Sequence, residues 1–194
     1  ESFTIQPQGA SIQARVYAEN PAKNFQPASG LLSAVEFPET ARIETWVDAG
    51  CEVSAFYDPM LAKIIVHASN RDQAIDRLIA ALDKTTLYGI ETNLDYLRQV
   101  LSGTVFRSGQ VSTQFLSGFH YQPHTLDVLN AGVQTTVQDY PGRTGYWNVG
   151  VPPSGPMDSL AFRLANHLVG NPDDSAGLEI TLAGPTLRFN CNSL

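Results

Sequence analysis

A short polar segment, HYQPHT at residues 120–125, separates two stretches of the chain with different sequence textures. Before it, segments that alternate at period two give way to segments with helical spacing. After it, alternating segments return and flank residues 139–158, which are dense in glycine and proline. A polar, proline-bearing segment between two such textures is typical of a linker. The sequence therefore predicts an α+β fold with two domains, residues 1–123 and 124–194.

The composition indicates a globular chain and excludes several classes of partner. Of the 194 residues, 43% are hydrophobic and 16% are charged, and the net charge is −7 with no run of lysine or arginine. This charge argues against nucleic acid and membrane surfaces as partners. No apolar stretch approaches the ~18 residues of a membrane span. Cys51 and Cys191 suggest neither a disulfide framework nor a zinc site, so a reducing cytoplasm is expected.

The two ends of the chain suggest a piece of a larger protein. The first residues, ESFTIQPQGAS, lack the basic and apolar regions of a signal peptide. The chain begins at Glu1 without methionine and stops at Leu194, just after an apolar-rich run. We therefore expect a segment of a longer polypeptide that holds only part of an active site.

Hydrophobic periodicity predicts the elements of the first domain. Asn70, with Gln73 three residues later, resembles a capping box and starts a helix with one apolar stripe. Thr92 with Asp95 marks the start of a second helix that ends at Gly103. The predicted strands are 9–20, 31–37, 42–50 and 60–68, a short extended piece covers 87–90, and a short third helix covers 112–119.

The second domain is predicted to be richer in strands. Residues 125–138 alternate like a strand pair around Asn130-Ala131-Gly132, and residues 178–190 return to strand. Residues 157–170 have helical spacing. The apolar stripe of this amphipathic helix consists of Leu160, Leu164, Ala165 and Leu168.

Arg15 lies in the middle of the first predicted strand, on its polar face. Ile12, Ala14 and Val16 alternate with it and form the apolar face. The commonest reason for such an arginine is solvation. The alternative is a site, because a guanidinium stays charged at any working pH and offers a planar fork of donors that can clamp an anion or stabilise an oxyanion. Glu19 shares this face, but four residues along a strand is ~13 Å, so the two side chains pair only if both lean together.

Two loops are further candidates. Asp58-Pro59 is either a turn that enters a strand or the source of a carboxylate that orients a cationic site group. The stiff loop GVPPSGPMD, residues 150–158, either positions the following helix or presents backbone N–H groups and Ser154 to an anion. It is not a phosphate loop, because the lysine and spacing of GxxxxGK[ST] are absent. The four histidines show no metal-ligand spacing, so no metal site is predicted.

Ordered motifs in the first 120 residues resemble the C-terminal subdomain of biotin carboxylase, an antiparallel sheet with packed helices. They are ARVYAENP, F-x-P-A-S-G, D-A-G, YDPMLAKIIVHASNRDQAI and GIETNLDYL. The second part resembles the β-rich beginning of the carboxyltransferase domain of urea carboxylases, a relative of allophanate hydrolase subunit 2. The resemblance there rests on VQTTVQDYPGRTGYWNVGVPPSGPMDSLAFRLANHLVGN and GLEITLAGPTLRF. The direct junction of these two parts is the order found in the urea carboxylase family.

The resemblance implies a mechanism and its participants. Family members use ATP and magnesium to activate bicarbonate, carboxylate biotin on a biotinyl carrier domain, and transfer the carboxyl group to urea to give allophanate. The arginine of the A-R-x-x-A-E motif, here Arg15, is implied to hold bicarbonate and stabilise the biotin enolate oxygen. Glu19 and Asp58 match motif positions as supporting residues. The resemblance places the ATP- and magnesium-binding parts outside this chain and implies a homodimer through the first subdomain.

In the second domain the resemblance matches motif residues without assigning a role to each of them. These residues are Asp139, Arg143, Ser154 and Asp158. Two other classes of function stay open: a non-catalytic dimerisation or interaction module, and a protein like the 5-oxoprolinase subunits. An upstream ATP-grasp domain and a downstream biotinyl-lysine motif in the same reading frame would favour the carboxylase.

Overall fold

The computed structural model describes residues 6–192, and these residues form two compact units. One unit ends at Pro123 and the other begins at His124. The outermost ends of the two predicted domains, residues 1–5 and 193–194, lie outside the described residues. None of the helices among residues 6–192 has both the length and the apolar content to cross a bilayer.

The first unit is built from short strands and three α-helices. The helices are α1 (Arg71–Asp83), α2 (Leu94–Ser102) and α3 (Thr104–Arg107), and short 3₁₀ turns cover Pro21–Lys23 and Phe115–Gly118. The strands are β1 (Ala10–Tyr17), β2 (Glu19–Asn20), β3 (Gln26–Pro27), β4 (Gly30–Leu31), β5 (Ala34–Glu36), β6 (Arg42–Thr45), β7 (Glu52–Val53), β8 (Met60–Ala68) and β9 (Thr86–Tyr88).

A three-stranded antiparallel sheet, in the order β1–β8–β6, is the centre of this unit. The register places Ala14 opposite Ile64 and Arg15 opposite Lys63. Side chains alternate across a strand, so Ala14, Val16 and Ile64 are buried on one face while Arg15 is exposed on the other. The predicted alternation of the first strand is confirmed.

Helix α1 covers the apolar face of this sheet. Its contacts are mainly with β8 and β1, and the stripe predicted from helical spacing supplies them. Ala74, Ile75, Leu78 and Leu82 are fully buried. Asn70 caps the helix as predicted, because its side-chain oxygen accepts from the Gln73 amide at 2.9 Å.

Three predictions for this unit are corrected. The strand predicted for 42–50 ends at Thr45, whose hydroxyl accepts from the Val47 amide and bends the chain away from the sheet. Helix α2 starts after Asn93 rather than Thr92, because the Asn93 side chain binds β1. The helix predicted for 112–119 is only the 3₁₀ turn Phe115–Gly118.

The second unit contains four strands, one α-helix and a 3₁₀ turn. They are β10 (Leu126–Asn130), β11 (Gln134–Gln138), β12 (Gly177–Thr181), β13 (Thr186–Phe189), α4 (Ser159–Leu168) and the turn Trp147–Val149. The strand pair predicted for 125–138 is wrong, because β10 pairs with β13 and β11 pairs with β12. The turn at Gly132 packs against residues 183–184 so closely that a Cβ there would lie 2.5 Å from the Ala183 carbonyl oxygen. Both strands therefore find their partners in the later segment.

The apolar stripe of α4 is exposed in this unit. Leu160, Leu164 and Leu168 are 65%, 52% and 84% exposed, and Ala165 is exposed as well. The predicted helix and its stripe are present, and the stripe stays exposed among the described residues. The physical reason is that the buried side of α4 is instead the side of Asn166, whose amide donates to the Ser175 carbonyl oxygen at 2.9 Å.

Candidate functional site

Arg15 stands in a row of charged side chains that crosses the exposed face of the central sheet. Lys63 of β8 lies opposite Arg15, and Glu44 of β6 lies opposite Lys63. The Lys63 ammonium is 3.6 Å from the Glu44 carboxylate, which also bonds Arg42. Arg42 first, and Lys63 second, hold the pKa of Glu44 below its ordinary value. The single negative charge of this row is thus shared by Lys63 and Arg42.

Arg15 keeps its positive charge uncompensated. Within residues 6–192 its guanidinium makes no hydrogen bond and no ion pair. Every other arginine of the first unit bonds a carboxylate or a backbone carbonyl. The pairs are Arg42 with Glu44, Arg71 with the Phe106 carbonyl, Arg77 with the His67 carbonyl, Arg98 with Asp83, and Arg107 with Asp76.

Arg15 is exposed on the outer face of the sheet, and two clefts lie near it. A small cleft of about 150 Å³ follows its neighbouring strands and is lined by Glu44, Trp46 and Lys63 among others. A larger cleft of about 560 Å³ lies along the segment after Glu19 and is lined by Asn20, Lys23 and Glu91 among others. Arg15 lines neither of these two clefts.

Glu19 and Asp58 lie close to each other, just beyond the end of β1. The Ala18 amide donates to the Pro59 carbonyl oxygen at 2.8 Å, which holds the two segments together. Asp58 is fixed by its own turn, since its Oδ1 accepts from the Met60 amide at 2.8 Å. Burial raises the pKa of Glu19, and the Asp58 carboxylate raises it further. Among the described residues neither carboxylate forms an ion pair with Arg15.

Asn93 contacts the backbone of the strand that carries Arg15, and the sequence analysis did not single it out. Its Nδ2 donates to the Arg15 carbonyl oxygen at 3.2 Å, and its Oδ1 accepts from the Tyr17 amide at 2.9 Å. Asn93 is only 6% exposed. Buried amides need hydrogen-bond partners, so an asparagine inside the GIETNLDYL motif was the available signal.

In the second unit the loops that carry the predicted residues pack backbone against backbone. A Cβ on Gly142 would lie 2.5 Å from the Ser154 carbonyl oxygen, and one on Gly155 would lie 3.5 Å from the Asp139 carbonyl oxygen. Only glycine fits at the Gly142 approach, whereas the distance at Gly155 is that of an ordinary van der Waals contact. The structure therefore brings together the segments of Asp139 and Ser154, and both side chains, like that of Arg143, are exposed.

Asp158 has a clear local role, because it caps α4. Its Oδ1 accepts from the Leu160 amide at 3.1 Å and from the Ala161 amide at 2.9 Å. The preceding amide, that of Met157, donates to Glu179 Oε1 at 2.7 Å. These carboxylates occupy the donors that an anion would need at this helix start, so the positioning interpretation of the loop is favoured over the anion-site interpretation.

A further set of contacts ties the 139–143 loop to α4. Arg163 binds Asp173 with two nitrogens, at 3.0 and 2.8 Å, and lies 5.0 Å from the centroid of the Tyr140 ring. Asp173 raises the pKa of Arg163. Sequence analysis missed this arrangement because its members are far apart in the chain and have no common spacing.

Comparisons with known proteins agree with this architecture. The family described as "Biotin carboxylase C-terminal domain" matches residues 13–118, and the family described as "Carboxyltransferase domain, subdomain A and B" matches residues 149–194. The chain belongs to the biotin carboxylase C-terminal domain family, and it joins that domain to a carboxyltransferase segment.

Particular relatives narrow the resemblance further. The chain is 53% identical over its whole length to a urea amidolyase of Lachancea kluyveri. It matches the crystal structure of the Kluyveromyces lactis urea carboxylase with a TM-score of 0.79 and 56% identity over 96% of its length. The biotin carboxylase domain of the Hydrogenobacter thermophilus 2-oxoglutarate carboxylase matches 58% of the chain and 25% of that domain structure, with a TM-score of 0.57 and 32% identity. The chain spans only 11% of the length of the amidolyase and 16% of the carboxylase structure.

Proposed function

We propose that this chain is part of a biotin-dependent urea carboxylase. Such an enzyme carboxylates biotin with ATP and bicarbonate and then transfers the carboxyl group to urea, which gives allophanate. The similarity to urea amidolyase extends over both units, whereas the similarity to the 2-oxoglutarate carboxylase domain covers only part of the chain. The junction of the two units is therefore what favours urea over other substrates.

The observation that carries the proposal is the uncompensated charge of Arg15. A guanidinium that has no internal partner is free to bind an external anion through its fork of donors. Its strand is fixed to β8 by a regular register, so the group is presented from a rigid element. We assign Arg15 to bind bicarbonate and to stabilise the negative charge that develops on the ureido oxygen of biotin.

Glu19 and Asp58 are proposed to shape the same site from one side. Two neighbouring carboxylates repel anions, so they restrict anion binding to the Arg15 end of the sheet. Asp58 is fixed by its turn, and burial together with the Asp58 carboxylate raises the pKa of Glu19. This arrangement gives both residues a supporting role without direct contact with Arg15.

The residues of this chain account for only part of the cofactor binding that the proposed reaction needs. Biotin supplies the nitrogen that carries the carboxyl group, and the free Arg15 guanidinium suits both its ureido oxygen and the bicarbonate anion. Among residues 6–192 no group of three or more histidine, cysteine, aspartate or glutamate side chains is arranged to hold a metal ion. We therefore propose that ATP and magnesium bind elsewhere in the full-length protein.

The second unit is proposed to belong to the carboxyltransferase that receives the biotinyl carrier domain and urea. Asp139, Arg143 and Ser154 are exposed on loops that pack together, which suits a role in handling a small polar substrate. Asp158 serves this unit as the cap of α4. The exposed stripe of Leu160, Leu164 and Leu168 supports the same proposal, because the remainder of the carboxyltransferase domain would bury it.

The kinetic test uses the full-length protein and measures ATP cleavage that depends on bicarbonate and urea. We expect Arg15→Ala to lower this rate by about 10²–10³-fold, the usual effect of removing one oxyanion donor. Arg77→Ala is the control, since Arg77 is also an exposed arginine of the first unit but donates to the His67 carbonyl oxygen on the α1 side. Equal rates for the two variants would remove Arg15 from the site.

A further inference from the structure

Strand β1 lies at the edge of the central sheet. One of its sides pairs with β8, and within residues 6–192 the sheet order β1–β8–β6 leaves the other side without a strand partner. Backbone N–H and C=O groups on such an edge need other partners when they are buried. Beside Arg15, the side chain of a single residue provides these hydrogen-bond partners.

Asn93 forms three hydrogen bonds with this edge. Its side-chain amide donates to the Arg15 carbonyl oxygen at 3.2 Å and accepts from the Tyr17 amide at 2.9 Å. Its own backbone amide donates to the Tyr17 carbonyl oxygen at 3.1 Å. Asn93 therefore takes the place of a neighbouring strand at Arg15 and Tyr17, whose backbone groups point to the open side of β1.

The contact lies beside an irregularity in the pairing of β1 with β8. The register shifts between Val16 and Tyr17, where Leu61 of β8 has no partner on β1, so the extra residue of this bulge belongs to β8. A bulge redirects the side chains on either side of it. Because Asn93 holds the Arg15 carbonyl before the shift and the Tyr17 amide after it, the backbone of β1 is fixed on both sides of the shift.

The use of Asn93 in this contact leaves α2 without a side-chain cap. Asn93 occupies the N-cap position, where an asparagine oxygen ordinarily accepts from the helix's own first amides, yet it makes no such bond. The amide group instead bonds a strand that is 76 to 78 residues away in sequence. Because the Asn93 side chain bonds β1 and not the first amides of α2, we infer that its role is at β1.

We propose that Asn93 is a positioning residue for Arg15: it fixes the backbone of β1 beside the bulge and so sets the direction of the guanidinium. This inference rests on the proposed function of Arg15. Only an amide side chain offers a donor and an acceptor in this geometry. Aspartate would keep the bond from the Tyr17 amide but would place a second oxygen against the Arg15 carbonyl.

The experiment compares Asn93→Ala and Asn93→Asp with Thr85→Ala in the full-length protein. Thr85 is a matched control, because it is also 6% exposed and loses one buried hydrogen bond, from its hydroxyl to the Ala81 carbonyl oxygen. A loss of folded protein lowers kcat and leaves KM unchanged. Misplacement of Arg15 raises the KM for bicarbonate and leaves the KM for ATP unchanged.

We expect both Asn93 variants to lower kcat/KM for bicarbonate by about 10–100-fold, as small misplacements of a site group do, with a raised KM for bicarbonate. Thr85→Ala should keep the KM of the unsubstituted protein. Adding Asn93→Ala to Arg15→Ala should cause no further loss, since the two act through one group. If Asn93→Ala does not fold, Asn93→Ser supplies the same measurement.

Two failures are distinguishable. If Arg15→Ala itself leaves the reaction unchanged, the proposed function fails and the role of Asn93 fails with it. If Arg15→Ala abolishes the reaction while the Asn93 variants behave like Thr85→Ala, the proposed function stands and the positioning role is overturned.

Discussion

The two units of this chain differ most in how they bury apolar side chains. All the buried hydrophobic residues among residues 6–192 belong to the first unit, from Ala14 to Leu101. In the second unit the one buried residue among those described is Asn166. Both units nevertheless contain an amphipathic helix with a clear apolar stripe, α1 in the first and α4 in the second.

The difference shows that an apolar stripe predicts a helix but not the surface that covers it. Helix α1 packs on a three-stranded sheet, whereas the second unit pairs its strands two by two. The first unit therefore has its own core and presents a charged site on the outer face of the same sheet. The second unit exposes its leucines, and we attribute this to a covering segment in the full-length protein.

The largest expected effect tests that contrast with one leucine from each stripe. Leu78→Ala should destabilise the first unit by about 2–5 kcal/mol, because Leu78 is fully buried. Leu164→Ala should change the stability of the second unit by no more than about 0.5 kcal/mol in the 194-residue chain, because Leu164 is 52% exposed. Native-state hydrogen exchange reports each unit separately.

The same pair of variants in the full-length protein tests the covering segment. Leu78→Ala should keep its cost there, while the cost of Leu164→Ala should rise above about 1 kcal/mol once the stripe is covered. An unchanged, small cost of Leu164→Ala in the full-length protein would show that α4 stays exposed and would break our explanation of the contrast.

Removing a helix-cap side chain should lower the stability by an intermediate amount that is similar in the two units. Asn70→Ala and Asp158→Ala each remove a side chain that accepts from the first amides of a helix, and each should cost about 1 kcal/mol. The substitutions Asn70→Asp and Asp158→Asn keep the acceptor and should lower the stability by only a few tenths of a kcal/mol. A negligible cost for Asp158→Ala, measured by hydrogen exchange in α4, would reopen the anion-site interpretation of the preceding loop.

The smallest expected effect is a pH dependence of the folding stability, and it is expected for the first unit alone. Burial and Asp58 raise the pKa of Glu19 above the ordinary value of 4.5. The folded state therefore holds this proton more tightly than the unfolded state, and Glu19 costs stability as pH rises from about 4.5 through the raised pKa. Glu19→Gln should remove this cost and stabilise the unit by at most about 0.5 kcal/mol at pH 7.

The control for this prediction is the low-pH limit. Below the unfolded pKa, glutamate is protonated in both states, so Glu19→Gln should have little effect there. Denaturation of the two proteins at pH 3.5 and pH 7 measures the difference. A gain that is equal at both values would mean that the carboxylate charge is not its cause.

Much of the first unit follows from local sequence. Strand β8 has the predicted bounds and helix α1 the predicted start, because periodicity, cap and burial all agree. The exposed position of Arg15 follows from the period of two. The pairing of β10 with β13 could not be predicted in this way, since strand partners that are 56 to 63 residues apart leave no local signal.

The candidate site shows the same limit. Spacing and resemblance identify Arg15, Glu19 and Asp58, but neither reveals that Arg15 lacks a bonded partner among residues 6–192 or that Asp58 raises the pKa of Glu19. Asn93 was missed because asparagine at a helix start is explained by capping until the structure shows which amides it meets. Long-range hydrogen bonds of this kind are properties of the fold and not of the segment.

The most direct test of the central claim measures the transfer of labelled carboxyl from bicarbonate to biotin by the full-length protein. The Arg15→Ala variant is compared with Arg77→Ala and with the unsubstituted protein. Our account predicts that Arg15→Ala lowers the transfer rate by about 10²–10³-fold while Arg77→Ala stays near the unsubstituted rate. Transfer by a folded Arg15→Ala protein at the unsubstituted rate would contradict it.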